Sequence, residues 1–367
     1  MNYNSKSNNR ILFILTLLPG MLMAFISQQG EKVPWKRVLD QPQEWYGSGE
    51  AVRIGDNMLL HQKDNGGWYK NIDMSVNLTE EGRKALKDAQ SETIGTTIDN
   101  DATFIQTEFL AKVYGETGQA RFGEAVLKAL DYIMEAQYDN GGWPQYYPIR
   151  EGYYEHITFN DGAMIQAMEL LRDVAKGKQP YDFVDAARKE RAQHAIGKGL
   201  EMILAAQIEV DGQLTAWCAQ HNKDDLRPAK GRAYELPSIS GGESVGIVRY
   251  LMSLENPDDE VIRAIESAVA WFEEVKLEGI KVERKEDPSL PRGYDRVVVE
   301  DENAGPLWAR FYEIGTNKPM FVGRDGVVRY RLAEIEHERR VGYSYLGPYA
   351  ESLLEKEYPE WRISRGN

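Results

Sequence analysis

Cysteine is almost missing. Cys218 is the only one in 367 residues, so no internal disulfide can staple the chain. Histidine is scarce too, and His61, His156, His194, His221 and His337 form no H-E-x-x-H or other paired-ligand pattern, which disfavours zinc. Basic residues are outnumbered, 44 against 58 acidic, giving a net charge of −14. That balance disfavours general binding to nucleic acid or to anionic membranes. It leaves room for an anionic ligand if arginines or a metal ion reverse the sign inside a cleft. No low-complexity linker interrupts the chain, and no segment has EF-hand spacing.

Long apolar runs are missing except at the N-terminus. There Lys6 and Arg10 precede an apolar stretch from Ile11 to Ser27, broken by Pro19-Gly20 and followed by polar sequence. A basic start, an apolar middle and a polar continuation are the layout of a secretory signal. The expectation is a signal peptide over 1–27, or an uncleaved N-terminal anchor, followed by one domain over 28–367. Export to the periplasm or medium of a bacterium fits a chain that needs no disulfide.

Helical periodicity dominates the rest. Phe104, Ile105, Phe109, Leu110 and Val113 recur at helical spacing in 101–118, as do Phe122, Val126, Leu130, Ile133 and Met134 in 120–137. Further helices are expected over 161–176, 188–207, 242–254, 259–276 and 304–316. The best strand is 295–301. A weak repeat also appears: Gln62, Gln137 and Gln207 each precede a Gly-containing turn and a tryptophan (Trp68, Trp143, Trp217). Repeated helical pairs returning a loop to one side predict an (α/α) toroid, with a stacked solenoid as the competitor.

Those loops carry Trp68, Trp143 and Trp217 with Tyr146, Tyr147, Tyr153 and Tyr154. Aromatic faces stack on the C–H faces of sugars, so three equivalent tryptophans suggest a carbohydrate-lined cleft; plugging the ends of helix pairs is the alternative. "TTIDNDATF" (96–104) and "HITFNDGAM" (156–164) place Asp99, Asn100, Asp101 and Asp161 just before helices. For Asp101 and Asp161, helix capping alone stands as an equal alternative. Asp99 and Asn100 are surplus to a cap, and two such oxygen-rich clusters could meet around one hard cation such as Ca²⁺.

The ordered set "NGGWYKNIDM", "TIDNDATF", "AQYDNGGWPQYYP", "ITFNDGAM", "WCAQH", "RPAKGRAYELPSISGGES" and "GPLWARFYEIGTNKPMFVGRDG" resembles the pectate lyases of polysaccharide lyase family 10 over about residues 60–350. The resemblance implies an all-α (α/α)₃ toroid with long loops and a few short strands lining the cleft. It further implies binding of polygalacturonate and Ca²⁺-assisted β-elimination. By the same resemblance Arg232 is the base, Asp99 and Asp161 are calcium carboxylates, and Lys70, Asn100, Arg310 and Arg324 hold substrate. Gly231, Tyr69 and Asp101 depart from the family pattern, which has alanine, proline and a small residue there.

Two other readings remain at this point. Asp99, Asp161 and Glu235 could serve a glycoside hydrolase on the same kind of toroid, since two carboxylates suffice for that reaction. A non-catalytic polysaccharide-binding protein would keep the aromatic loops alone. Neither accounts for Lys70, Arg232, Arg310 and Arg324 together.

Overall fold

The computed structural model describes residues 33–366, and from Val33 onward the chain forms one compact unit. The expected signal or anchor over 1–27 and the start of the domain at 28 lie outside the described residues. Ten α-helices are present among them: α1 (Gly49–His61), α2 (Glu80–Asp88), α3 (Phe104–Thr117), α4 (Ala120–Glu135), α5 (Ala163–Ala175), α6 (Ala186–Ala205), α7 (Glu243–Met252), α8 (Asp259–Glu274), α9 (His337–Gly342) and α10 (Tyr358–Ser364). None is long and apolar enough to cross a membrane.

Three helical hairpins, α3–α4, α5–α6 and α7–α8, build the body. Helices α3, α5 and α7 contact one another in turn as an inner layer, while α4, α6 and α8 do so as an outer one. The sequence explains the division. In α3 the buried side chains Phe104, Gln106, Thr107, Phe109, Leu110, Ala111 and Val113 lie around most of the helix, as an inner position requires. In α4 and α8 the buried residues keep to one stripe, from Phe122 to Ile133 and from Val261 to Phe272. This is the expected (α/α)₃ toroid. Six of the seven helices expected from periodicity form, with ends shifted by a few residues; α1, α2, α9 and α10 were not foreseen.

The segment 304–316 is not the expected helix. It supplies two short strands, Trp308–Ala309 and Phe311–Tyr312, paired antiparallel with Leu346–Gly347 and Ile239–Ser240. Trp308, Ala309, Phe311 and Tyr312 are all buried, so the apolar run mimics a helical face while its backbone bonds to distant partners. The expected strand forms as Tyr294–Glu300, paired over seven residues with Ile280–Glu286.

The repeat is structural. Gln62 Nε2 donates to Gly66 O (3.0 Å) and to Ala125 O on α4 (2.9 Å). Gln137 Nε2 bonds Gly141 O and Ala195 O on α6, both at 2.9 Å. Gln207 Nε2 bonds Thr215 O (2.9 Å) and Ala264 O on α8 (3.0 Å). In the first two turns glycine is obligatory. Gly66 and Gly141 both have φ +94°, and an added Cβ would fall 2.3 Å from Lys128 O and 2.1 Å from Lys198 O.

The tryptophans do not line a cleft. Trp68, Trp143 and Trp217 are each 0% exposed, and their indole N–H groups donate to Met58 O (2.9 Å), Ile133 O (2.8 Å) and Ile203 O (2.7 Å). They plug the ends of helices, where a large apolar ring with one donor packs on the last turns and bonds a carbonyl there.

Candidate active site

The inner helices α3, α5 and α7 each begin beside a carboxylate: Asp99, Asp161 and Glu243. Helix N-termini carry partial positive charge and favour such anions. Neither Asp101 nor Asp161 caps its helix, correcting the expectation. The N-cap positions are Thr103 and Gly162, and no side chain caps either end. Asn100, Asp101, Thr103 and Asp161 instead take positive φ (52°, 60°, 70° and 53°), a conformation costly for side-chain-bearing residues. Thr103 Oγ1 donates to Thr97 O at 2.8 Å and so helps fix the turn that carries Asp99.

Asp99 is 2% exposed. Its Oδ2 accepts from Lys70 Nζ, while its Oδ1 is buried with no hydrogen-bond partner. Burial opposes the Lys70 ammonium, but Asp99 and Tyr146 outweigh it and raise its pKa above the usual lysine value. Asn100 is exposed beside them, and its Nδ2 meets Asn71 Oδ1 at 3.4 Å. Asp161 accepts from Asn160 Nδ2 at 2.7 Å, and its other oxygen lies 3.9 Å from Arg310. Burial raises its pKa, and the charges of Asp99 and Glu243 add to this against the opposing pull of Arg310 and Arg232. Those five residues therefore share one electrostatic neighbourhood.

Arg310 follows the short strand Trp308–Ala309. Its Nη2 donates to Glu243 Oε1 and to Asn160 Oδ1 (3.4 Å), and its Nε is buried without a partner. Burial works against the guanidinium, yet Glu243 and its neighbours hold the pKa above the ordinary arginine value. Glu243 also accepts from Ser240, whose Oγ takes the backbone N–H of Gly242 (3.2 Å) and Glu243 (3.1 Å). The sequence reading passed over Glu243, although Ser240-x-x-Glu243 has capping-box spacing.

Arg232 is gripped from one side. Glu235 accepts from Arg232 Nε at 2.9 Å, from Nη2 at 2.5 Å and from the backbone N–H at 2.9 Å. These hydrogen bonds raise the proton affinity of the guanidinium, outweighing burial. Burial pushes the Glu235 carboxyl upward, but the Arg232 pair prevails and leaves it below the usual glutamate value. Arg232 Nη1 makes no protein hydrogen bond among the described residues. A Cβ at Gly231 would fall 2.7 Å from both Glu235 Oε2 and Gln220 Oε1, so the alanine of the family pattern would need these side-chain ends to shift. Tyr343, also unforeseen, sits between the two arginines. Its ring centroid is 4.8 Å from Arg310 Cζ and 5.7 Å from Arg232 Cζ.

Arg324 stands apart, more exposed. Its guanidinium meets Glu338 (2.9 and 3.2 Å), and its backbone N–H donates to Glu336 Oε1 at 2.6 Å. Buried Arg339 holds the same Glu338, and both arginines lie over the Tyr234 ring. The structure thus brings Lys70, Asp99, Asp161, Arg232 and Arg310 together, with Asn100 and Arg324 at the margins.

No group of three or more His, Cys, Asp or Glu side chains suited to a metal occurs among the described residues. Asp99 and Asp161 nevertheless fit a hard cation as part of its shell. Both offer carboxylate oxygen, and Asp99 Oδ1 is a buried acceptor with nothing to accept from. The remaining ligands would come from substrate and water.

Residues 62–354 match the family model described as pectic acid lyase. The solved family 10 polysaccharide lyase from Cellvibrio cellulosa is 35% identical, with a TM-score of 0.73 over 86% of this chain and 94% of that one. A mutant of that lyase, in complex with trigalacturonic acid, is 34% identical with a TM-score of 0.72, covering 86% and 95%. Comparison with curated proteins gave no match. With a lyase family spanning the toroid and its cleft, the hydrolase and binding-only readings fall away, and the chain belongs to the pectate lyases of polysaccharide lyase family 10.

Proposed function

We propose that this enzyme cleaves polygalacturonate by calcium-assisted β-elimination, giving unsaturated oligogalacturonides, and that the protein is exported to do so. Asp161 carries the reading. Its carboxyl is raised by burial and by two neighbouring carboxylates, and it faces Arg310 and Arg232, so it gains from a further cation. The trigalacturonic acid bound to the Cellvibrio lyase supports the substrate class.

The acidic C–H beside a uronate carboxylate is hard to deprotonate, because more negative charge must gather near an anion. A cation held by Asp99 and Asp161 would supply Lewis-acid relief of that charge. The chain's own residues do the rest. Arg310, a guanidinium held in place by Glu243, takes a uronate carboxylate. Lys70 and Arg324 take others, and Asn100 a hydroxyl. Arg232 removes the C5 proton, the C5–H electrons form the C4=C5 double bond as the C4–O bond breaks, and the departing oxygen, left on C1 of the neighbouring sugar, takes a proton from solvent. Arginine holds its proton strongly, and the Glu235 pair holds it further, so this step requires the pair to loosen first.

The test is polygalacturonate with Ca²⁺, followed by ultraviolet absorbance of the unsaturated product and by reducing ends. Both should rise together, and reducing ends without absorbance would sink elimination. For export, N-terminal sequencing of periplasmic or secreted protein should find a new terminus between about residues 24 and 30. A cytosolic chain beginning at Met1 would refute it.

A further inference from the structure

Each cation already placed at the cleft has an internal carboxylate. Lys70 has Asp99, Arg232 has Glu235, Arg310 has Glu243 and Arg324 has Glu338. Arg150 has none: among the described residues it makes no ion pair and no hydrogen bond, and it is exposed. Yet it is held in place. Its Cζ lies 4.4 Å from the Tyr154 ring centroid and 5.6 Å from that of Tyr146. Lys70 Nζ lies 5.6 Å from the same Tyr146 centroid, so one ring carries both cations.

The loop that bears Arg150 is fastened to the Asp99 segment. Thr97 bridges to both Trp68 and Tyr146, Ile98 N–H donates to Gln145 O at 3.3 Å, and Tyr147 N–H donates to Thr96 O at 3.2 Å. The far side of the loop is tied by Tyr138 OH to Glu155 O (2.9 Å) and by Gly152 N–H to Glu155 Oε1 (3.1 Å). Tyr154 packs on Tyr153 with centroids 3.9 Å apart, and the Tyr153 phenol feels the charges of Arg232 and Glu235. Ring contacts therefore run from Arg150 through Tyr154 to Tyr153, which lies within the electrostatic reach of Arg232, and Arg232 and Arg324 both lie over the Tyr234 ring.

We propose that Arg150 is a further substrate-binding residue, which takes a uronate carboxylate of the polygalacturonate chain beyond the sugar that reacts. The inference rests on the pectate lyase reading above. A uronate reaching Arg150 completes an ion pair without displacing a carboxylate of the protein. The tyrosine faces restrict the guanidinium beforehand, lowering the entropy lost on binding.

The experiment compares wild type, Arg150→Ala, Arg150→Glu and Arg150→Lys on trigalacturonate, polygalacturonate and partly methyl-esterified pectin. Arg150→Ala should raise KM for polygalacturonate roughly tenfold, the scale of one charged hydrogen-bonding contact, with a much smaller change in kcat. Arg150→Glu should be worse, and Arg150→Lys should recover part of the loss. The effect should shrink on the esterified polymer, whose masked carboxyls cannot pair. A KM for polygalacturonate within twofold of wild type in both Arg150→Ala and Arg150→Glu would overturn the proposal. A packing role alone would lower Tm and leave KM in place. Should the wild type release no unsaturated product, the lyase reading fails instead. Calorimetry of polygalacturonate with wild type and Arg150→Glu then still decides the binding role, equal affinities overturning it.

Discussion

The hydroxyl of Tyr343 donates to Glu235 Oε1 at 2.9 Å across 108 residues of sequence. It thereby fixes the carboxylate that grips Arg232, while the Tyr343 ring lies against Arg310. Tyr343→Phe keeps the ring and removes the bond. It should lower kcat by several-fold and stability by about 1 kcal/mol, the worth of one hydrogen bond. Steady-state kinetics and urea unfolding measure the two; unchanged kcat would show that Glu235 needs no such support.

Arg232→Ala should lower kcat by about 10²–10⁴-fold, the usual cost of losing a general base, with KM within roughly tenfold. Arg310→Ala should raise KM at least as much as it lowers kcat, because ground-state binding is lost as well. Glu235→Gln gives a sharper reading. It removes the anion that raises the Arg232 proton affinity, so deprotonation of Arg232 becomes easier. If Arg232 is the base, the alkaline rise in kcat should begin at lower pH in Glu235→Gln even though the maximum falls. An unmoved pH profile argues that another group takes the proton.

Asp161 trades stability for function. Its pKa is raised in the folded protein, so the folded state holds this proton more tightly than the unfolded chain does. The stability tied to that proton is present below the unfolded pKa and is lost as pH rises through the folded one. At neutral pH Asp161→Asn should therefore raise Tm slightly while abolishing most calcium-dependent turnover. Excess chelator on the wild type should stop turnover with the helical circular dichroism intact. Full activity in chelator would remove the metal from the mechanism.

Trp68→Ala, Trp143→Ala and Trp217→Ala should each cost about 3–5 kcal/mol of stability, as expected for emptying a buried tryptophan site. Where the variants fold, their affinity for polygalacturonate should be close to wild type. A selective loss of affinity at full stability would restore the cleft-lining role that their burial denies.

His221 sets an acid limit. Its Nε2 accepts from Cys218 N–H at 3.0 Å, leaving Nδ1 to donate to Leu226 O at 2.8 Å. Burial lowers its pKa from 6.5 to about 4. Between those values the unfolded state binds the extra proton and the folded state does not. Stability should therefore fall as pH drops from 6.5 toward 4, by on the order of 3 kcal/mol at the end. Unfolding of His221→Gln should show a shallower slope over that window.

Much of this was legible from 3.6-residue periodicity, because each helix of the three hairpins shows its buried face locally. Arg232 and Glu235 could also be linked by their i, i+3 spacing. Tyr343 could not, since its bond to Glu235 is made only when the chain closes on itself. Glu243 was readable from Ser240 onward as a capping pattern, although its grip on Arg310 was not. The run around Trp308 and Phe311 misled because a pair of two-residue strands leaves no alternation long enough to outweigh an apolar stretch. The tryptophans misled for another reason. A ring beside a glycine turn has the same sequence signature whether it meets a sugar or a helix end, and only burial separates the two.

The glutamine of each turn reaches forward in sequence, Gln62 to α4, Gln137 to α6 and Gln207 to α8. Every unit thus finishes its own loop only when the next hairpin arrives. On a nascent chain, a synthesised first unit would wait with Gln62 bonded only within its own turn until α4 had emerged, and the second would wait likewise for α6. Excising one hairpin would leave a buried amide upstream one bond short as well as remove a wall. The toroid should therefore melt as one cooperative body, without shedding its units one at a time.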